Sequence, residues 1–170
     1  MTYWNNYENC LNAIQYNGLN LLYVINQTDE LCKLAVQNNG IALNFVKEQT
    51  NEICILAVKQ YGFALKYVKN QTDEICKIAI QSNDATLQYV INQTDELCKL
   101  AIQQNGYALR HVKNQTDEIC ILAVQQNGLA LKYVKEQTNE IIDYALTQNI
   151  DAKKYINIEY DENHLRYVLK

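Results

Sequence analysis

Gln93–Val112 reads QTDELCKLAIQQNGYALRHV, and lightly edited copies of this text return every 22 residues. A Gln-Thr pair opens the copies at Gln27, Gln49, Gln71, Gln93, Gln115 and Gln137. A fixed period of this length marks a stacked repeat architecture, in which no copy can bury its apolar face alone.

One copy, Gln27 to Glu48, shows how the text folds. Thr28 can accept a hydrogen bond from an unpaired N–H at a helix start, and Asp29 and Glu30 place negative charge where the helix dipole favours it. Leu31, Cys32, Leu34, Ala35 and Val36 form a wide apolar face at helical spacing. Asn39-Gly40 reads as a stop, with glycine expected in the left-handed conformation that ends helices. A second short helix over Ile41–Glu48 sets Ala42, Leu43, Phe45 and Val46 against Asn44 and Lys47. The copy is therefore helix, tight turn, short helix, tight turn. Segments this short are marginal alone, so each must be held by its neighbours.

The predicted fold class is all-α: an α-solenoid of about seven 22-residue repeats with polar caps. A leucine-rich-repeat-like solenoid is the alternative, because Leu31, Leu34, Val36, Asn39 and Ile41 fit LxxLxLxxNxL. In that fold a strand residue between the apolar positions faces solvent and varies. Here it is Ala13, Ala35, Ala57, Ala79, Ala101, Ala123 and Ala145, a small helix-favouring residue in every copy.

Residues 1–170 read as one repeat domain, without Pro and with five Gly. Residues 5–26 form an N-terminal capping copy, with Asn9, Asn12 and Asn20 at normally apolar positions. Residues 27–136 hold five regular copies; in the fourth, Asp84 replaces Gly and is expected to keep the left-handed stop, and Thr86 replaces Ala. Residues 137–158 are a degenerate copy and 159–170 a C-terminal cap helix, while Thr2, Tyr3 and Trp4 are expected to fold back over the first copy. No apolar run approaches the ~20 residues of a membrane span, and the polar opening does not read as a signal peptide.

Cys10, Cys32, Cys54, Cys76, Cys98 and Cys120 lie 22 residues apart. Equivalent positions in stacked copies fall ~10 Å apart, beyond the reach of a disulfide. Without CxxC and with two His, zinc is not expected either. The column reads as buried, reduced thiols of an intracellular, cytoplasmic protein. His111 substitutes for the aromatic residue of other copies, and His164 falls in the tail cap. No catalytic, cofactor-binding or metal-binding constellation emerges, so no enzyme activity and no cofactor are expected.

Two sets of candidate binding residues remain. Lys47, Lys66, Lys69, Arg110, Lys113, Lys132 and Lys135 align as a basic stripe, expected to lie near the acids that open the following helix. The rows that vary between copies offer Lys33, Ile55, Lys77, Lys99 and Ile121 on the first helix, and Phe63 and Tyr107 just after the Gly. Ile55 and Ile121 are expected as exposed hydrophobes.

Ala123–Ile141, AVQQNGLALKYVKEQTNEI, resembles a domain-of-unknown-function family of short α-helical repeats abundant in mimivirus-like giant viruses. The shared text is Ala-Val-x-x-Asn-Gly-x-Ala-Leu-x-Tyr followed by an acidic helix start, and it recurs from Cys10 to about Tyr155. The resemblance implies an α-helical array and a viral origin, and it carries over no catalytic residue. The expected function is a non-enzymatic scaffold mediating protein–protein interaction along an extended face, with a host protein as partner if the source is viral. Polyanion or nucleic-acid binding through the Lys/Arg stripe is the alternative.

Overall fold

In the computed structural model, which describes residues 6–160, threonine decides where each copy begins. Thr28, Thr50, Thr72, Thr94, Thr116 and Thr138 keep extended backbones, and each Oγ1 accepts the N–H three residues on at 3.3–3.4 Å. That bond satisfies a donor the helix cannot satisfy itself. Asn6 does the same for the first copy, accepting from Asn9 N–H at 3.1 Å.

The α-helices that follow are α1 (Tyr7–Tyr16), α2 (Asp29–Asn38), α3 (Asn51–Gln60), α4 (Asp73–Ser82), α5 (Asp95–Gln104), α6 (Asp117–Gln126) and α7 (Asn139–Gln148). In α2, Leu31, Cys32, Ala35 and Val36 are buried and Leu34 is half-buried. The alanine column is 0% exposed from Ala35 to Ala145, which places small side chains where neighbouring copies meet.

Asn39 both ends α2 and starts the next element. Its backbone is extended (φ −150°, ψ 110°), its N–H still reaches Ala35 O at 2.8 Å, and its Oδ1 accepts Ile41 N–H at 3.0 Å. The second element is not an α-helix but a 3-10 helix, Gly40–Phe45, with Ala42 N–H on Asn39 O at 2.8 Å. The equivalents are Gly18–Tyr23, Gly62–Tyr67, Asp84–Tyr89, Gly106–His111, Gly128–Tyr133 and Ile150–Tyr155. Three residues per turn make positions i and i+3 eclipse. Gly40 and Leu43 therefore share the buried side, followed by buried Val46, while Ile41 and Asn44 share the outer side.

The glycines correct the expected stop. No described residue has a positive φ, at Gly or at Asp84. Glycine is needed for room: a Cβ on Gly40 would lie 2.6 Å from Ala57 O of the next copy, and one on Gly106 2.6 Å from Ala123 O. Thr86, at the alanine position of the fourth copy, is buried, and its hydroxyl donates to Asn83 O at 2.8 Å.

The junction glutamines join copies. Gln27 Nε2 donates to Leu21 O at 3.4 Å and to Phe45 O at 2.9 Å, while Oε1 accepts Lys47 N–H at 3.0 Å and the Cys32 thiol at 3.7 Å. Two donors and two acceptor sites are all that a primary amide has. Gln49, Gln71 and Gln115 repeat the four bonds.

Among the described residues there is no strand, which excludes the leucine-rich alternative, and the fold is an all-α solenoid of 22-residue helix and 3-10-helix repeats. No described helix is long and apolar enough to cross a membrane. The chain divides into two compact units between Ile91 and Asn92. In the first, α1 packs on α2, α2 on α3 and α3 on α4; in the second, α5 packs on α6 and α6 on α7. Asn9 and Asn12 are exposed on the first copy, as a polar cap requires, and Asn20 Nδ2 donates to Ala13 O at 2.8 Å. Thr2, Tyr3, Trp4 and the cap expected beyond Tyr160 lie outside the described residues.

Two substitutions test this packing. Gly106→Ala pushes a methyl into a backbone carbonyl and should lower stability by ~1–3 kcal/mol. Gly62→Ala, whose Cβ would lie 3.0 Å from Ser82 Oγ, should cost less. Gln115→Ala strands the Lys135 N–H and two carbonyls and should cost ~1–3 kcal/mol. Urea midpoints measured against wild type check all three.

Candidate functional site

Eclipsing at three residues per turn brings together side chains that the sequence presents separately. Phe63 shares the outer edge of its 3-10 helix with Lys66, and Tyr107 shares its edge with Arg110. The variable row after Gly and one row of the basic stripe are thus a single edge. The lysines and Arg110 on it are exposed; Phe63 and Tyr107 are half-buried.

Aromatic rings link this edge from copy to copy. Phe63 meets Tyr89 edge-on, ring centres 5.9 Å apart, and Tyr107 meets Tyr133 in the same way at 5.9 Å. Lys66 Nζ stands 4.6 Å from the centre of the Tyr67 ring. Lys132 Nζ stands 4.6 Å from the Tyr133 ring centre and 4.9 Å from that of Tyr107. Hydrogen bonding to the Tyr133 hydroxyl raises the Lys132 pKa, and the same bond, followed by one from Arg110, holds the Tyr133 phenol below its usual range. Arg110 Nε also donates to His111 Nε2 at 2.9 Å. His111 is half-buried in the aromatic row, as its place in the repeat predicts.

The rest of the basic stripe has a different role. Lys47 Nζ donates to Ile25 O at 2.6 Å, Lys69 to Lys47 O at 2.9 Å and Lys135 to Lys113 O at 2.7 Å. These lysines bind backbone carbonyls of the preceding copy rather than the acids of the following helix. The cations that do reach such acids are Lys33, bound to Glu52 at 2.6 Å and to Asp29 at 2.8 Å, and Lys99, bound to Glu118 at 2.6 Å.

The candidate row on the α-helices is correspondingly less open than expected. Lys33, Ile55, Lys77, Lys99 and Ile121 are all half-buried, so Ile55 and Ile121 are not the exposed hydrophobes that the sequence predicts. Their row lies against the neighbouring copy, where long side chains cover apolar surface. Asp143, in the same row, is buried and accepts the Tyr160 hydroxyl. Lys154 and Tyr155, which the sequence reading passes over, extend the outer edge, with Lys154 Nζ 5.1 Å from the ring centre. Their signal is the Leu-x-Tyr pattern with a cation between.

A polar cleft of about 290 Å³ opens between the turns at Lys113–Asn114 and Lys135–Glu136, with Gln115, Asp117 and Cys120 in its lining. The Cys120 thiol is bonded to Gln115 Oε1 at 3.6 Å, and its pKa is pushed up to about 11 by burial and then by Asp117. A thiol protonated at neutral pH and already donating is a poor nucleophile. All six cysteines are buried. Among the described residues no group of three His, Cys, Asp or Glu could hold a metal ion.

Burial raises the thiol pKa to about 11 at Cys32 and Cys76 as well. A raised acid pKa favours the neutral form in the fold, so this stabilisation is complete below the unfolded value near 9 and is lost as pH climbs towards 11. A maleimide at neutral pH should therefore label the folded protein far more slowly than the urea-unfolded chain. Equal rates would contradict the burial of the column.

No curated protein and no solved structure matches the chain. One family model, described as Domain of unknown function (DUF4116), matches residues 28–72 and 94–139, together just over half of the sequence. The matched segments carry the threonine-capped helices, the glycine contacts and most of the outer edge just described, and the chain belongs to this family of helical repeats.

Proposed function

We propose that the chain is a non-enzymatic repeat scaffold that binds a protein partner along the outer edge of its 3-10 helices. One observation carries this reading. The α-helical lysines Lys33 and Lys99 are neutralised by carboxylates and Lys47, Lys69 and Lys135 are bound to carbonyls, whereas Lys66, Arg110 and Lys132 point outward among tyrosines. Tyrosine and arginine are enriched where proteins meet partners, because they combine apolar area with a polar tip. The neutral, occupied Cys120 thiol agrees with a binding role rather than a covalent one. The resemblance to giant-virus repeats adds a host protein as a source of the partner, and the buried thiols suit a reducing cytoplasm.

Polyanion binding is the second reading, and the same exposed cations favour it. It predicts binding that weakens steeply with salt.

Affinity capture from the native cell, followed by mass spectrometry, tests the proposal. A partner held by wild type should be lost by about tenfold or more from Arg110→Glu plus Lys132→Glu. Both side chains are exposed, so the far-UV circular dichroism should not change. Equal recovery of every partner from both proteins would overturn the assignment to this edge.

A further inference from the structure

We infer that the occupant of this edge, in the unit from Asn92 onward, is an extended acidic peptide carrying a carboxylate at every third residue. The inference rests on the partner-binding reading above and names its ligand. Arg110, Lys132 and Lys154 occupy the same position in three successive copies. Stacked copies set such positions ~8–10 Å apart. A polyproline-type peptide advances ~3.1 Å per residue, so every third side chain returns to the same side after ~9 Å. The two periods match, and one acid can meet one cation per copy without bending either chain.

The tyrosines suit the same occupant. Tyr107, Tyr133 and Tyr155 alternate with the cations, and aromatic-lined surfaces are what peptides of this conformation dock on. Single-stranded nucleic acid would instead need open ring faces for stacking. Here Lys132 stands over Tyr133 and Tyr107, Lys154 stands over Tyr155, and Tyr107 and Tyr133 are already edge to face. A base could stack only by displacing a cation that the strand's phosphates also require. The chain carries a net charge of −4, so its long-range field does not favour a polyanion, and the attraction is local to this edge. Asp151, one turn before Lys154 in the last 3-10 helix, sets an acid on the edge and marks where the cationic run ends.

The test uses the full chain and three fluorescent probes at low salt. They are a peptide repeating Asp-Pro-Ala, a peptide of the same composition with its aspartates adjacent, and an oligouridylate. The spaced peptide should bind about 5–10-fold tighter than the clustered one, since two further exposed ion pairs form in register. Arg110→Glu plus Lys132→Glu should abolish that difference. Equal binding of the two peptides would overturn the spacing, and tighter binding of the oligouridylate would overturn the peptide in favour of nucleic acid. If neither peptide binds while cellular capture still depends on Arg110 and Lys132, the acidic-peptide inference fails and the binding edge stands. If capture does not depend on them, the edge itself fails.

Discussion

The amide of each junction glutamine fixes the repeat. The segment between a 3-10 helix and the next α-helix has no regular ladder, so its backbone groups need partners from elsewhere. Gln115 supplies them in both directions: it holds Leu109 O behind it, Tyr133 O and Lys135 N–H ahead, and takes a thiol proton from Cys120. Contacts at fixed offsets of 18 and 20 residues tie the spacing of copies to the reach of one side chain. An inserted residue would break two of the four bonds. The cysteine column follows from the same geometry. A small side chain with a proton to give fits beside Oε1, and burial keeps that proton on sulfur.

Around that constraint the charges fall into two groups. Lys33 and Lys99 reach acids at the start of the next α-helix, while Lys47, Lys69 and Lys135 reach carbonyls at the end of the previous 3-10 helix. Each such exposed contact stabilises little. Repetition makes them a register device, because slippage of one copy would misplace all of them together. The outer edge of the 3-10 helices takes no part in this, and there the side chains change between copies while the backbone does not. Phe63 and Tyr107 stand where other copies carry Ile41, Ala85 and Leu129.

The 3-10 geometry links these two groups. An α-helix would spread Tyr107, Arg110 and the following turn around a wider arc. Three residues per turn stack Tyr107 on Arg110 and leave Leu109 and Gly106 stacked on the inner side. Close approach of Gly106 to Ala123 O is possible because the inner row carries no Cβ at that point. The feature that tightens the core therefore also lines up the edge.

The sequence by itself determined the period, the helical class, the threonine caps, the Asn turns, the burial of the Cys and Ala columns and the polar first copy. Each of these is a local property or a periodicity, readable from residue type and spacing. It did not separate the α-helix from the 3-10 helix, since Gly-x-Ala-Leu-x-Tyr fits either over so few residues. It misread glycine as a left-handed stop, because the carbonyl that forbids a Cβ on Gly106 belongs to Ala123, 17 residues away. It also could not sort the lysines. Whether Lys69 or Lys66 is consumed inside the array depends on which groups of the neighbouring copy lie within its reach, and only the stacking of copies brings those groups there.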